Sequence, residues 1–222
     1  QVSLADTELL LTSPHLPVVI DDVATEPRVV ALTNARFQKA PIVSPTGEWL
    51  RGYMPIAIRC LPFRFRPRAD GDEITVLEVA TNLEPCGDET RPIFSAGDTL
   101  SREVQQIEAL LRRLEAGKRA LRAAAKALLM ADVLAPFQLA RVADGAAPPR
   151  QFFTVDRNRF AGLSPHRAAL LCADSFLPVD LATACLFSQR LMATLIEFAC
   201  EQAAASQTPA PRMTARTPQR TP

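Results

Sequence analysis

The sequence predicts an α+β fold with a β-rich N-terminal half, a long central amphipathic helix, two further strands and a helical C-terminal part. Two patterns indicate this fold class. Short runs rich in valine and isoleucine alternate with turn-forming residues over positions 1–98, which is typical of strands. From Leu100 onward, apolar residues recur every three, four or seven positions, which is typical of an amphipathic helix. We therefore expect one domain over residues 1–205, β-rich over 1–98 and mainly helical over 99–205.

The first half contains four runs that are predicted strands. They cover residues 16–20, 28–32, 41–43 and 74–80. Two segments between them, 44–47 and 68–72, contain the residues that set turn dihedral angles, so each is expected to connect two strands.

The central helix is predicted to begin near Leu100. Its apolar stripe consists of Leu100, Val104, Ile107, Leu111, Leu114, Leu121, Ala125 and Leu128. Asp98 or Thr99 is the expected N-cap, and Pro136 is expected to end the helical run. Two i,i+4 ion pairs are expected on the polar face, Glu108–Arg112 and Glu115–Arg119.

The second half of this helix is basic. Its cations are Arg112, Arg113, Lys118, Arg119, Arg122 and Lys126. They suit an acidic partner, or they simply complement the negative end of the helix dipole. The second interpretation is preferred, because cations are expected at that end in any case.

The remaining chain is predicted to add strands and helices. Strands at 137–142 and 152–155, separated by a loop, can rejoin the first sheet. A short helix is expected from Ser164, and a longer one from Pro178 to about residue 204. Three cysteines are expected to pack there: Cys172, Cys185 and Cys200. Residues 206–222 have too little apolar surface to offset the entropy of ordering, so a disordered tail is expected.

Composition excludes several classes of function. The chain has 222 residues, 48% of them hydrophobic, and a formal net charge of +1. Nucleic-acid binding without sequence preference depends on a basic excess, so no nucleic-acid partner is expected. The 5 cysteines and 2 histidines form no ligand motif, so neither a metal nor another cofactor is expected. Charges interrupt every long apolar window, so we expect no membrane span. The cysteines are odd in number and scattered, which favours a reducing compartment, so a cytoplasmic location is expected.

No motif identifies a catalytic centre, and the catalytic residues are unknown at this point. His15 and His166 lie in a loop and at a helix start, where nothing marks either as a base. The glycine-rich phosphate-binding motifs are missing from the sequence. Carboxylates in or beside predicted loops could converge for acid–base chemistry, and they are Asp21, Asp22, Glu48, Glu78, Asp88, Glu89 and Asp156. Solvent exposure is the preferred interpretation for most of them.

The most informative segment is EWLRGYMPIAIRCLPFRF at residues 48–65. Trp49 and Tyr53 are the only tryptophan and tyrosine of the chain. Both residue types combine a large apolar body with one polar group, which suits binding surfaces and cores alike. A surface role and a core role therefore both remain open.

Arginines alternate with aromatic and proline residues at the end of this segment. In a strand, Phe63 and Phe65 share one face, and Arg64 and Arg66 project from the other. The arginines could bind an acidic peptide segment or the acidic loop at 70–73, and the intramolecular option costs less. The candidate partner-binding residues are Trp49, Arg51, Tyr53, Arg59, Arg64 and Arg66.

The order of these blocks resembles the SapC family, over about residues 28–200. The resemblance rests on Trp49, Tyr53, Pro55, Arg59, Pro62 and Phe63, on Pro92 and Phe94 before the helix, and on Val155, Asp156 and Phe160 after it. It implies an accessory protein of proteobacteria. The family is named for a gene cluster that exports a surface-layer (S-layer) protein, and many members lie near genes similar to flavin-dependent tryptophan halogenases and TonB-dependent receptors.

Two functions are expected from these observations. The first is a non-enzymatic accessory or adaptor protein that binds a peptide or protein partner through Trp49, Tyr53 and the nearby arginines. The alternative is an enzyme that uses a carboxylate pair on a peptide or a small aromatic acid, in a cleft where Asp21, Glu48 or Asp156 approaches a second acid.

Overall fold

The structure is a computed structural model that describes residues 1–34, 41–67, 75–79, 92–95, 99–137 and 151–191. The described residues include the strands β1 (Val2–Ser3), β2 (Val18–Asp21), β3 (Arg28–Ala31), β6 (Leu134–Phe137) and β7 (Phe152–Val155). These strands form a 5-stranded antiparallel sheet of order β1-β3-β2-β7-β6. Since β7 pairs with both β2 and β6, the C-terminal strands rejoin the first sheet, as the sequence suggested.

A second sheet is a two-stranded antiparallel ribbon. It consists of β4 (Phe63–Pro67) and β5 (Thr75–Val79), with Phe65 opposite Leu77. The alternation predicted for β4 is observed, since Phe63 and Phe65 are half-buried and Arg64 and Arg66 are exposed.

Helices connect and cover the sheets. A 3-10 turn at Asp6–Glu8 precedes the short helices α1 (Leu9–Thr12) and α2 (Ile56–Arg59), which are followed by the long helix α3 (Arg102–Met130). The C-terminal helices are α4 (Arg157–Ala161), α5 (Pro165–Leu171) and α6 (Leu177–Ser188), with a 3-10 turn at Gln189–Leu191. Among the described helices, none combines the length and the apolar character needed to cross a membrane.

The main core lies between one face of the five-stranded sheet and helices α3 and α6. Val18 and Ile20 point into it from β2, and Leu121 and Leu128 from α3. Val19, which lies between Val18 and Ile20 on the strand, belongs to a separate cluster, as the two-residue period of a strand requires.

A second core lies at the first half of α3. Leu111 and Leu114 pack there with Ile56 and Cys60, and the half-buried Phe65 of the ribbon packs against them. Helix α3 therefore joins two hydrophobic clusters, one under the main sheet and one under the ribbon.

Most predicted elements of regular structure are confirmed within the described residues. Strands β2, β3, β5 and β7 lie at the runs predicted for 16–20, 28–32, 74–80 and 152–155, with β5 described over Thr75–Val79, and helices begin beside Ser164 and Pro178. The segment 41–43 is a correction. It forms only an isolated bridge, Val43 to Trp49, because the chain reverses at once through a turn in which Ser44 and Glu48 bond to each other.

The boundaries of α3 also differ from the prediction. Ser101 is the N-cap, whereas Thr99 bonds to Ser95 in a local turn, and Asp98 lies outside the described residues. The helix ends at Met130 because Asp132 takes the left-handed conformation, with φ of 57°, as residues after helix ends commonly do. Pro136 therefore does not end the helix. It lies in β6, the edge strand where proline is tolerated.

Several finer predictions have mixed outcomes. The Glu108–Arg112 ion pair is present at 2.5 Å, but Glu115 pairs with Lys118 at 2.7 Å rather than with Arg119. The strand predicted at 137–142 begins at Leu134 instead, and residues 138–142 lie outside the described residues. Cys185 is buried and Cys172 half-buried. Four predictions lie outside the described residues: the turn at 68–72, the packing of Cys200, the continuation of the last helix beyond 191 and the disordered tail.

Candidate functional site

Trp49 anchors the candidate segment to the main core. It follows a turn in which Gly47 has φ of 87°, a conformation that favours glycine. The half-buried indole packs against the main core cluster, and its Nε1–H donates to the Tyr53 carbonyl oxygen at 3.2 Å. This bond closes the loop between the two aromatic residues, within which Arg51 is half-buried.

Tyr53 is bound to a buried carboxylate from the N-terminal segment. Glu8 is only 1% exposed, and its Oε1 accepts the Tyr53 hydroxyl at 3.0 Å and the Ile56 N–H at 2.6 Å. Its Oε2 accepts the Ala5 N–H at 2.9 Å. A buried charge is tolerated when several donors surround it, and three donors surround this one.

Arg59 completes this network at the surface. Its Nη2 donates to the Tyr53 hydroxyl at 3.3 Å, and its guanidinium lies 5.6 Å from the centre of the Tyr53 ring. Burial, followed by the Glu8 carboxylate, raises the pKa of Tyr53 above its usual value, and Arg59 acts in the opposite direction. The Glu8–Tyr53–Arg59 network therefore holds an exposed cation in one place.

Arg64 and Arg66 lie on the solvent face of the ribbon and share one carboxylate. Arg64 Nε bonds to Glu78 at 2.8 Å across the strand pair, and Arg66 lies 3.6 Å from the same side chain. The hydrogen bond from Arg64 lowers the pKa of Glu78, so this acid is ionised at neutral pH. Among the described residues, the intramolecular partner of these arginines is therefore Glu78 of β5. The acidic loop at 70–73 lies outside the described residues, so its predicted pairing stays a prediction.

The six candidate residues fall into two groups. Trp49, Arg51 and Tyr53 are half-buried, and the polar groups of Trp49 and Tyr53 are bonded within the protein. Arg59, Arg64 and Arg66 are exposed. The two groups are continuous along the chain, because α2 leads directly into β4 through Cys60 to Pro62.

Glu8 is the important residue that the sequence reasoning missed. Only a weak signal was available. The residue lies at the third position of the first helical turn and directly before the apolar run Leu9–Leu11, where acids that fold back onto backbone N–H groups are common. Nothing in the sequence indicated that this acid reaches a tyrosine 45 positions away.

Three of the carboxylates that could serve in catalysis, Asp21, Asp22 and Asp156, have structural contacts in this fold. Asp21 and Asp22 both lie beside Arg28, at 3.2 and 3.8 Å, next to a cavity of about 440 Å³. Asp156 caps α4 by accepting two backbone N–H groups, and Glu48 is exposed in its turn. Asp88 and Glu89 lie outside the described residues.

A second cavity lies beside the C-terminal end of α3. This cavity of about 610 Å³ between the end of α3 and helices α4 and α5 is lined by Asp132, Arg159, Ser164 and Arg167, away from the aromatic segment. Among the described residues, no group of three or more histidine, cysteine or acidic side chains is placed to hold a metal ion. His15 packs against Gly52, where an added Cβ would lie 2.7 Å from its ring.

These observations define an α+β protein whose candidate site is a surface of arginines supported by a buried glutamate and a tyrosine. The chain belongs to the SapC family, because the family model described as SapC matches residues 1–195. No curated protein and no solved structure matched the chain significantly.

Proposed function

We propose that this chain is a non-enzymatic accessory protein that binds a peptide or protein partner through the surface of Tyr53, Arg59, Arg64 and Arg66. The observation that supports the proposal is the Glu8–Tyr53–Arg59 network. A long arginine side chain usually loses rotamer freedom when it binds, and that loss is smaller when the protein already holds it. A core tyrosine needs one partner for its hydroxyl, whereas this hydroxyl also bonds to an exposed cation.

The surface also contains an apolar element. Leu61, two residues after Arg59, is 56% exposed. Arginine and large apolar side chains together are typical of the centres of protein interfaces. The resemblance to the SapC family supports a cytoplasmic role in a bacterial pathway, in surface-protein export or in the modification of peptides or tryptophan.

Site-specific photo-crosslinking in the producing cells tests this proposal. A photoreactive benzoylphenylalanine at Leu61 is expected to capture a defined protein, whereas the same residue at Met130, which is 87% exposed on the end of α3, is not. Arg59→Ala should abolish the crosslink at 61, because it removes the cation without touching Glu8. Arg157→Ala, at an exposed arginine of α4, is the matched control and should have no effect. Equal capture at both positions would contradict the proposal.

An enzyme that uses a carboxylate pair is the second candidate. The observation that favours it is the pair of neighbouring acids Asp21 and Asp22 beside one cavity. Incubation of the purified protein with a small-molecule extract should then consume a compound, and Asp22→Asn should prevent this. If wild type and variant leave the extract equally unchanged while the Leu61 crosslink forms, the enzyme hypothesis is wrong.

A further inference from the structure

The ribbon has an open edge whose backbone groups can be assigned. Pro67 is paired with Thr75 at the end of β4, yet proline has no N–H to donate. This pair must therefore be one of the non-hydrogen-bonded pairs, which alternate with hydrogen-bonded pairs along an antiparallel ladder. Consequently the backbone N–H and C=O groups of Arg64 and Arg66 form hydrogen bonds with β5. The backbone groups of Phe63 and Phe65 point away from β5, to the outer edge of the ribbon.

One backbone group at this edge already has a hydrogen-bond partner. The Phe63 N–H donates to the Cys60 carbonyl oxygen at 2.8 Å. The N–H and C=O of Phe65 have no bonding partner among the described residues, where the ribbon has two strands only. Between Phe63 and Phe65 the edge therefore offers one donor, the Phe65 N–H, and two acceptors, the carbonyl oxygens of both residues, which is the pattern that an added strand requires.

The side chains beside this edge determine which strand fits. Arg64 and Arg66 project on one face of the ribbon and have one described carboxylate between them, Glu78. Counting the described residues, two arginines against one carboxylate leave that face with a net positive charge and with unused guanidinium N–H donors. On the opposite face, Phe65 lies under the Arg112 guanidinium, 5.7 Å from its ring centre.

We propose that β4 pairs with an extended segment of the partner protein that has the pattern acid, apolar residue, acid. In an antiparallel addition the apolar residue lies opposite Phe65 and exchanges two backbone hydrogen bonds with it. The acids on either side then lie opposite Arg64 and Arg66 and on the same face, at the distance of directly opposed side chains. This inference deepens the proposed function, on which it rests, by naming the chemistry of the partner.

Charge disfavours a second copy of this chain as the occupant. Two β4 strands paired antiparallel about Phe65 would place Arg64 of one copy directly opposite Arg66 of the other. Like charges at opposed positions destabilise a strand pair. An acidic segment replaces that repulsion with ion pairs, so the partner strand and not a copy of β4 is the fitting occupant.

Peptide binding to the full-length protein tests the inference. The probe is a fluorescent peptide with the central sequence Thr-Glu-Val-Glu-Thr, measured by fluorescence anisotropy at low salt. Two matched peptides isolate the two interactions. One has glutamine in place of both glutamates. The other has an N-methyl group on the central valine, which keeps the charges but removes the N–H that the Phe65 carbonyl oxygen would accept.

We expect saturable binding of the acidic peptide and a loss of affinity of about tenfold or more for either matched peptide, which corresponds to about 1.4 kcal/mol. Arg64→Ala and Arg66→Ala should each weaken binding about threefold to tenfold. Arg157→Ala should not, and far-ultraviolet circular dichroism should show all three variants folded. The Phe65 amide should become protected from hydrogen exchange when the peptide binds.

Three results would overturn the inference. The first is that the acidic peptide shows no saturable binding. The second is equal affinity for the N-methylated peptide, which would indicate charge attraction without strand pairing. The third is a concentration-dependent dimer, seen by light scattering, that Arg64→Glu strengthens. The crosslink at Leu61 does not depend on strand pairing. If it forms while the peptide fails to bind, this inference is wrong and the proposed function still holds.

Discussion

At the scale of single residues, Glu8 holds Tyr53, and through it Arg59, in position at the candidate surface. Its carboxylate accepts from the backbone at Ala5 and Ile56 and from the side chain of Tyr53. A charge that is 1% exposed is tolerable only because these donors replace water. The cation at Arg59 is therefore positioned through Tyr53 by a residue in the core.

The titration of Tyr53 checks this network. Because Tyr53 is the only tyrosine, the near-ultraviolet absorbance of its phenolate reports one group. We expect its pKa to be above the usual value of about 10 in the folded protein and to return to that value in denaturant. Glu8→Gln should lower this pKa, since it removes a negative charge, and Arg59→Ala should raise it further. Equal pKa values in folded and unfolded protein would contradict the network.

The same shift has a consequence for stability at high pH. The folded state holds the Tyr53 proton more tightly than the unfolded state, so the protonated hydroxyl contributes to the free energy of unfolding. This contribution is complete below about pH 10 and is lost as the pH rises through the pKa of Tyr53 in the folded protein. We expect the free energy of unfolding of wild type to fall in this range more steeply than that of Tyr53→Phe. Denaturant unfolding of both proteins between neutral and alkaline pH measures the difference, and parallel curves would be the opposing result.

At the scale of elements, α3 is shared between two hydrophobic clusters. Its first half supports the ribbon through Leu111 and Leu114, and its second half supports the main sheet through Leu121 and Leu128. Gly117 lies between these halves, where the N-terminal segment crosses the helix. A Cβ at this position would lie 2.6 Å from the backbone nitrogen of Asp6 and 2.7 Å from the Ala5 Cα.

Gly117→Ala is therefore expected to destabilise the protein. In an exposed helix position, alanine is more stable than glycine by about 1 kcal/mol. Here the added methyl group meets backbone atoms, so we expect the free energy of unfolding to fall by about 1–3 kcal/mol. The control is Ala116→Gly at the neighbouring position, which should cost about 1 kcal/mol. An increase in stability for Gly117→Ala, measured by urea unfolding, would show that the close approach does not exist.

At the scale of the whole molecule, charge is nearly balanced. The formal net charge is +1, and three arginines of the final segment, Arg212, Arg216 and Arg220, contribute to the basic side of that balance. Arginines that make α3 locally basic have acidic partners, since Arg122 pairs with Glu26 and Arg112 with Glu108. A balanced surface of this kind favours specific contacts with small charged segments over attraction to a polyanion.

We therefore expect no saturable binding of a duplex DNA of arbitrary sequence. The measurement is fluorescence anisotropy with full-length protein at about 50 mM salt, where phosphate contacts are strongest. A clear affinity that falls steeply when the salt is raised to about 200 mM would contradict this expectation. The acidic peptide with the central sequence Thr-Glu-Val-Glu-Thr serves as the positive control under the same conditions.

The sequence by itself determined the fold class, most strands, the long helix and the family. These depend on hydrophobic period and on short motifs, which are local properties of the chain. The sequence did not decide between a surface role and a core role for Trp49 and Tyr53. In the structure each residue is half-buried, with its polar group satisfied inside the protein.

Only the tertiary structure decided which groups meet. Glu8 reaches Tyr53, and Glu78 of β5 lies beside both Arg64 and Arg66. Asp132 ends α3 where the sequence suggested Pro136. The physical reason is the same in each case. Ion pairs, hydrogen bonds and left-handed caps depend on distances and dihedral angles that the packing of distant segments sets, and a local pattern of residue types contains no information about those distances.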